Sequence, residues 1–345
     1  MEMNLKELSQ QLNLSQTTVS RALNGYPEVS EATRKRVAAA AAKFNYSPNV
    51  RARTLATGKS MSIGHIIPQS RQNEIANMVF ADCMAGASAV YAQNGYTLSL
   101  SIVEDDKELS AYRGIAERGA VDGILVQSPI AKDPRIAHLT TLGIPFIVHG
   151  RASEVTVPYA WLDVNNKRAI AQATQYLINL GHRRIALING EEQMDFALRR
   201  RAGFCATLEK AGIATASELM SAGDMSEPNG HDAAASMLEL ADPPTAFVTS
   251  SIILALGIRR AIEERGLHLG DDVSVICFDD DISYLPNRGP CPPFTAMRSS
   301  VRAAGARCAE LLIQQIQKKS SGLAHELWDA EMVVGASTGP GPYAK

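Results

Sequence analysis

From residue 62 onward, short apolar runs alternate with helical stretches, and this beat restricts the available folds more than any other feature of the chain. SIGHIIP (62–68), YTLSLSIV (96–103), VDGILVQS (121–128) and PFIVHG (145–150) read as strands, with helical stretches near 74–93, 107–118 and 133–142. The pattern returns in YAWLDV (159–164), RRIALING (183–190), TAFVTSS (245–251) and VSVICFDD (273–280), accompanied by helices near 166–180, 196–211, 228–240 and 252–265. Strands that alternate with helices build parallel sheets covered on both faces. Two such sets predict two similar α/β subdomains. Ligands of parallel sheets sit beyond the carboxyl ends of the strands, so two facing subdomains predict a cleft between them. FTAMRSS with a helix at about 300–318, and then ELWDAEMVVGAST, are expected to cross back once into each subdomain. The expected division is 61–163 with 294–322, and 164–293 with 323–338.

The first 60 residues follow a different pattern. Leu5, Leu8 and Leu12 line one face of a short helix, Asn13 suits a left-handed turn, and Ser15 is placed to cap a second helix. In LSQTTVSRALNG (14–25), Val19, Ala22 and Leu23 form the inward stripe, while Gln16, Thr17, Thr18, Ser20 and Arg21 face outward. That polar face suits a recognition helix entering a major groove, or simply a solvated helix face. A third helix from Ser30 to about Phe44 completes a helix-turn-helix unit whose core is small and therefore marginal alone. Tyr46-Ser47-Pro48-Asn49 then breaks the helix, and VRARTLAT (50–57) reads either as two further helical turns or as a flexible basic linker.

Charge separates the same two parts. The chain carries a formal charge of only −2, yet residues 1–60 hold nine Lys/Arg against four Glu. A basic head on a mildly acidic body points to a polyanion, DNA first, bound at one end. The five cysteines are widely spaced and contain no C-x-x-C pair, which disfavours a disulfide framework or zinc site and fits a reducing compartment. The N-terminus lacks a signal-peptide pattern and no apolar run approaches membrane-spanning length, so a cytoplasmic protein is expected.

TVSRALNG, VSEATRKRV, NYSPNVRARTLATGKS and the strand SIGHIIP, in that order, resemble the LacI/GalR family of bacterial transcriptional regulators, and the likeness runs over essentially the whole chain. The resemblance implies a helix-turn-helix domain (1–46), a hinge (47–60) that folds on operator DNA, and an effector-binding and dimerisation domain (61–345) similar to periplasmic sugar-binding proteins. It also implies major-groove readers at Gln16, Thr17 and Arg21, and phosphate contacts from Thr18, Ser20, Asn24 and Tyr26. In the hinge it implies a minor-groove wedge at Leu55, with the small Ala52 permitting close approach. LINLGHRRIALING (177–190) resembles a regular signature of the family, and its His182 reads as a helix-end cap rather than a catalyst. Carried over position by position, the effector cleft would be lined by His149, Arg151, Arg200, Ser250 and Asp279, with Met225 as either a lining residue or plain packing. An arginine and an aspartate together can donate to and accept from neighbouring hydroxyls, as a sugar requires.

Two departures bear on the ligand. Ser250-Ser251 stands where the family usually has Asn-Asp, and Gln72-Asn73-Glu74-Ile75 replaces its Asn-Pro-aromatic-aromatic. The last residues, ASTGPGPYAK, contain no leucine heptad, so a homodimer is expected rather than a tetramer. No phosphate-loop, dinucleotide, metalloprotease or nucleophile-elbow motif occurs, which disfavours an enzyme, and no cofactor or metal is expected. A transport-type sugar-binding protein is the alternative. The basic head argues against it.

Overall fold

The computed structural model describes residues 3–23, 26–46, 58–70, 77–319 and 322–344. Asn24, Ala52, Leu55 and the segment Gln72-Asn73-Glu74-Ile75, all singled out from the sequence, lie outside the described residues. The chain divides into two compact units, Met1–Met61 and Ser62–Lys345.

The first unit contains α1 (Leu5–Leu12), α2 (Gln16–Leu23) and α3 (Glu31–Lys43). Each helix start has a local cause. The Asn4 side chain accepts from the Glu7 N–H while Glu7 accepts from the Asn4 N–H, a reciprocal box that satisfies two free donors. Asn13 ends α1 in the left-handed region (φ 52°), and Ser15 Oγ accepts from the Thr18 N–H at 3.0 Å to start α2. Ser30 Oγ does the same for α3 through Thr33. Leu8, Leu12, Val19, Ala22, Val29, Val37 and Ala41 make the core, with Leu5, Leu14, Leu23 and Phe44 packed around it. Arg36, counted above among the basic residues, donates to Leu12 O at 2.6 Å and so places a cation on the carbonyl end of α1.

The second unit holds two six-stranded sheets. The first runs β2-β1-β3-β4-β5-β11 and comprises β1 (Ser62–Pro68), β2 (Thr97–Val103), β3 (Gly123–Gln127), β4 (Phe146–His149), β5 (Ala160–Val164) and β11 (His325–Trp328). The second runs β7-β6-β8-β9-β10-β12 and comprises β6 (Ile185–Asn189), β7 (Met220–Ala222), β8 (Ala246–Thr249), β9 (Ser274–Asp279), β10 (Thr295–Arg298) and β12 (Glu331–Val333). The wiring is the same in both, and all pairings are parallel except β10 with β12. Central strands such as ILV in β3 and SVICFD in β9 are buried throughout, as sheets covered on both faces require.

The expected division of the body needs two corrections. Thr295–Arg298 was expected in the first subdomain but pairs with β9 of the second sheet, Ala296 against Cys277. His325–Trp328, expected in the second, pairs with β5 of the first sheet. The chain changes sides after each of these strands rather than before it. Four-residue strands carry no periodic signal that says which of two sheets they will join.

Helices touch backbone to backbone in both lobes. Helix α4 (Met78–Gln93) meets α11 (Val301–Ile316): a Cβ on Gly86 would lie 2.0 Å from Arg302 O, and one on Gly305 would lie 2.1 Å from Cys83 O. Likewise α9 (Glu227–Leu238) meets α10 (Ile252–Glu263), where Cβ atoms on Gly230 and Gly257 would lie 2.3 Å from Leu254 O and 2.0 Å from Glu227 O. Any side chain at these four positions would force the helices apart.

Candidate functional site

The head presents one polar helix face. Gln16, Thr17 and Arg21 are exposed, Thr18 and Ser20 are half-buried, and Tyr26 is exposed just beyond α2. Val19 and Ala22 anchor the opposite side. The Thr18 hydroxyl shares a 2.8 Å hydrogen bond with the Ser15 hydroxyl, so this residue supports the cap as well as facing outward. A helix whose N-terminal turn carries an amide, two hydroxyls and, one turn on, a guanidinium can reach base edges and phosphates together.

In the body, the positions singled out from the sequence lie at or near the carboxyl ends of the strands. Arg200 lies in α8 (Asp195–Lys210), is only 5% exposed, and stacks 3.9 Å from the Phe278 ring centroid and 4.9 Å from that of Phe196. Its Nε donates to Asn166 Oδ1 at 2.8 Å and a terminal nitrogen donates to Ser250 O at 2.6 Å. Burial pushes the guanidinium down to about 10, opposed by the charges of Asp280 and Asp163. Asp280 follows β9 of the second sheet and Asp163 lies in β5 of the first, so Arg200 feels carboxylates from both lobes.

The remaining sequence-derived positions divide by what they touch. Arg151 donates from Nε to Asp163 Oδ2 at 2.8 Å and stacks 4.9 Å from the Trp161 ring. His149 ends β4 with its Nδ1 3.9 Å from Cys83 Sγ, and burial pushes its pKa down to about 4. Ser250 is fully buried, and its hydroxyl donates to Asn189 Oδ1 at 2.5 Å, so it faces the cleft region through its carbonyl on Arg200. Asp279 is 1% exposed; one oxygen accepts from Arg298 Nε at 3.1 Å and the other from the Asp281 N–H at 2.8 Å. Met225 is half-buried and packs against the core beneath the second sheet, which favours the packing role. His182 is held inside the fold, its ring bonded to the hydroxyls of Thr245 (2.9 Å) and Ser274 (3.0 Å), and its N–H closes helix α7 (Asn166–Asn179) onto Leu177 O.

Several groups escaped the sequence. Asp280, next to the chosen Asp279, is the partly exposed member of the pair, and burial pushes its carboxyl up to about 7, against the pull of Arg200. The doubled Asp in FDD was the available signal. Asp195 was not foreseen either: its N–H donates to Pro129 O at 3.0 Å, and its carboxylate accepts from the Ser153 N–H at 3.1 Å, from the Ser153 hydroxyl and from Arg199. Beside it Met194 forms an antiparallel bridge with Ile130. At a second place where the lobes meet, Asp82 of α4 accepts from the Ser283 N–H at 2.9 Å and from Arg302 Nε at 3.1 Å. The contacts of Asp195 with Pro129 and Ser153, of Met194 with Ile130 and of Asp82 with Ser283 join the lobes, and nothing in local sequence spacing announces them. Among the described residues, no cluster of His, Cys, Asp and Glu is arranged to hold a metal ion, and no helix is long and apolar enough to cross a membrane.

The passages between lobes lie beside these residues. Asn165 N–H donates to Trp328 O at 2.8 Å and so joins the first passage to the third. At the second, Ser299 N–H donates to Asp279 O (2.9 Å) and Val301 N–H to Asp280 O (3.0 Å).

Comparison with known proteins places both parts. Residues 4–49 match the family described as bacterial regulatory proteins, lacI family, and residues 60–326 match that of periplasmic binding proteins and sugar binding domain of LacI family. The HTH-type transcriptional regulator AglR of Rhizobium meliloti (strain 1021) is 42% identical over 342 residues, covering 99% of this chain and 96% of AglR. The lac repressor dimer bound to operator and the anti-inducer ONPF superposes with a TM-score of 0.80 at 26% identity, covering 98% of this chain and 100% of that one. A complex of the transcriptional regulator CelR with cellobiose gives 0.70 at 26% identity, covering 97% and 99%. The chain belongs to the LacI family of bacterial regulatory proteins, and it joins a DNA-binding transcriptional-regulator head to a sugar-binding domain.

Proposed function

We propose that the protein is a homodimeric, cytoplasmic repressor that acts by binding and not by catalysis, and whose hold on a pseudo-palindromic operator is set by a sugar in the cleft of the body. Each protomer inserts α2 into one major groove. Arg21 donates to a guanine edge, Gln16 pairs with an adenine, and Thr17 meets a thymine methyl. Thr18, Ser20, Asn24 and Tyr26 hold phosphates and fix the register. Ala52 and Leu55 form the paired hinge in the minor groove, where an apolar wedge unstacks a base step and bends the duplex. The dimeric, operator-bound lac repressor to which the chain is similar supports this arrangement.

The observation that carries the effector role is Arg200, buried between two phenyl rings and facing carboxylates of both lobes. A guanidinium so placed uses two of its five donors on protein oxygens and leaves others for ligand hydroxyls. Asp280 and Asp279 supply acceptors, and the cellobiose complex of CelR supports a glycoside. Both aspartates also receive backbone bonds at the second passage between lobes, so a ligand that engages them biases lobe closure. Coupling of this kind is typically about 1–3 kcal/mol, enough to change operator occupancy. The test is a mobility-shift titration on an operator-like palindrome with and without sugars. Salt-sensitive, sequence-specific binding that changes with a sugar is expected, and binding indifferent to every sugar would overturn the control mechanism.

A further inference from the structure

We propose that the second lobe carries a further ligand site, away from the cleft, that takes a small aromatic carboxylate. A recess of about 380 Å³ lies at the amino ends of the strands of the second sheet, opposite the end that holds Asp279. Its walls come from the residues leading into β6 and β8, from α8, from the 213–219 segment and from the C-terminal tail. Ligand pockets begin at about 300 Å³ and a cavity of about 150 Å³ holds benzene, so this recess has room for a two-ring body and its acid group. The apolar part of the lining is Ile185, Leu208 and Leu219, each at most 3% exposed, with the half-buried Ile213 beside them. Such a surface takes a flat hydrocarbon body and offers nothing to a sugar.

Two guanidiniums line the same recess, and they differ in their partners. Arg184 is held, with Asp242 Oδ2 3.2 Å from its Nε and Glu218 Oε1 3.4 Å from a terminal nitrogen. Arg183 is exposed and has no ion pair or hydrogen bond among the described residues. It is the unanswered cation of the recess, and a carboxylate can take two parallel N–H bonds from its fork. A dianion would have to compete with Asp242 and Glu218 for Arg184, so a single negative charge fits best. The remaining wall is Tyr343, whose ring gives a face on which an aromatic body stacks. This wall is fixed by the main chain. The tail lies directly on Gly181, where an added Cβ would sit 2.3 Å from Ala344 N. Gly341 N–H donates to Leu180 O at 2.7 Å and Tyr343 N–H to Gly181 O at 3.2 Å. His182 adds an anchor, with Nε2 3.2 Å from Gly339 O and Nδ1 2.9 Å from the hydroxyl of Thr245, itself part of the lining. The run Gly-His-Arg-Arg at 181–184 therefore seats the tail and supplies the cations together.

The test is calorimetric titration of the full chain with 2-naphthoate at pH 7.5, with 2-naphthalenemethanol as a neutral counterpart of the same shape. Saturable binding of the naphthoate at about 1 mM or tighter is expected, the affinity that ordinary ligand efficiency gives a molecule of this size. The alcohol should bind at least tenfold more weakly. Arg183→Ala should lose at least tenfold for the naphthoate, and Arg183→Lys, which keeps the charge, should lose less. Tyr343→Ala should lose about two- to tenfold through the missing stack. Both side chains are exposed, so these variants are expected to melt as the parent does. Arg200→Ala should bind the naphthoate as the parent does, because Arg200 belongs to the cleft. No saturable binding, equal binding of the alcohol, or full affinity in Arg183→Ala would overturn the proposal. Affinity lost in Arg200→Ala but kept in Arg183→Ala would place the naphthoate in the cleft and overturn it equally. Unchanged affinity in Tyr343→Ala would overturn the choice of an aromatic body.

Discussion

The head and the body handle polar groups in opposite ways. In the head, Gln16, Thr17 and Arg21 stand exposed on a helix whose only structural duty is met by Val19 and Ala22 on the far side. In the body, Arg200, Asp163 and Asp279 are almost wholly enclosed, and each is already engaged by other protein groups before any ligand arrives. Exposed groups recognise by display: they are easily replaced without harm to the fold and are strongly screened by salt. Enclosed groups recognise by fitting a ligand into a network that is nearly complete, so replacing one disturbs its partners as well.

That contrast is open to direct test. The largest effect is expected from Arg200→Ala, which removes the buried guanidinium and its free donors; sugar affinity should fall by about 1.5–3 kcal/mol for each ligand hydrogen bond to the charged group that is lost. Operator binding without sugar should survive, and calorimetry alongside mobility shift separates the two. Arg21→Ala should weaken operator binding by about 1–3 kcal/mol and relax preference at one base, with sugar affinity unchanged. Loss of sugar binding in that variant would break the comparison.

Acidification should distinguish the units next. All seven histidines lie in the body and none in the first 61 residues. His149 takes up a proton near 6.5 when unfolded but only at about 4 when folded. The unfolded chain therefore gains the proton first, and the stability His149 supports is lost as pH falls from 6.5 towards 4. His149→Gln should flatten that part of the pH–melting curve of the body, with an effect on the order of 1–2 kcal/mol at the acid end after allowance for partial exposure. The smallest expected effect is in the head. Ser15→Ala removes the cap of α2 and should destabilise the head by about 1 kcal/mol, seen as faster amide exchange in residues 16–23 with no change in sugar affinity.

Legibility from sequence follows the same division. The helices of the head start and stop at side chains a few residues away, and Asn13 and Ser15 were readable from local spacing, whereas the equally local Asn4–Glu7 box was passed over. The strand–helix beat of the body was equally readable, because a covered parallel sheet demands continuous apolar runs. The assignments of Thr295–Arg298 and His325–Trp328 were not, since a short strand is placed by its long-range partner. The cleft was readable only in outline. Arg200 stood out by resemblance, but the stacking of Phe196 and Phe278, the engagement of Ser250 with Asn189, and the Ser153–Asp195 contact arise between residues far apart in the chain.

The glycines that let α4 meet α11 and α9 meet α10 have a mechanical consequence. Where main chain rests on main chain there are no long side chains to repack, and so no easy way for one helix to slide along the other. Each lobe is thereby a stiff jaw. Displacement imposed by the ligand proposed for Arg200 and Asp280 would have little room to dissipate within either jaw. It would pass instead to the three strips of chain that join them, at 165, 299–300 and 329–330, like the spine of a hard-covered book.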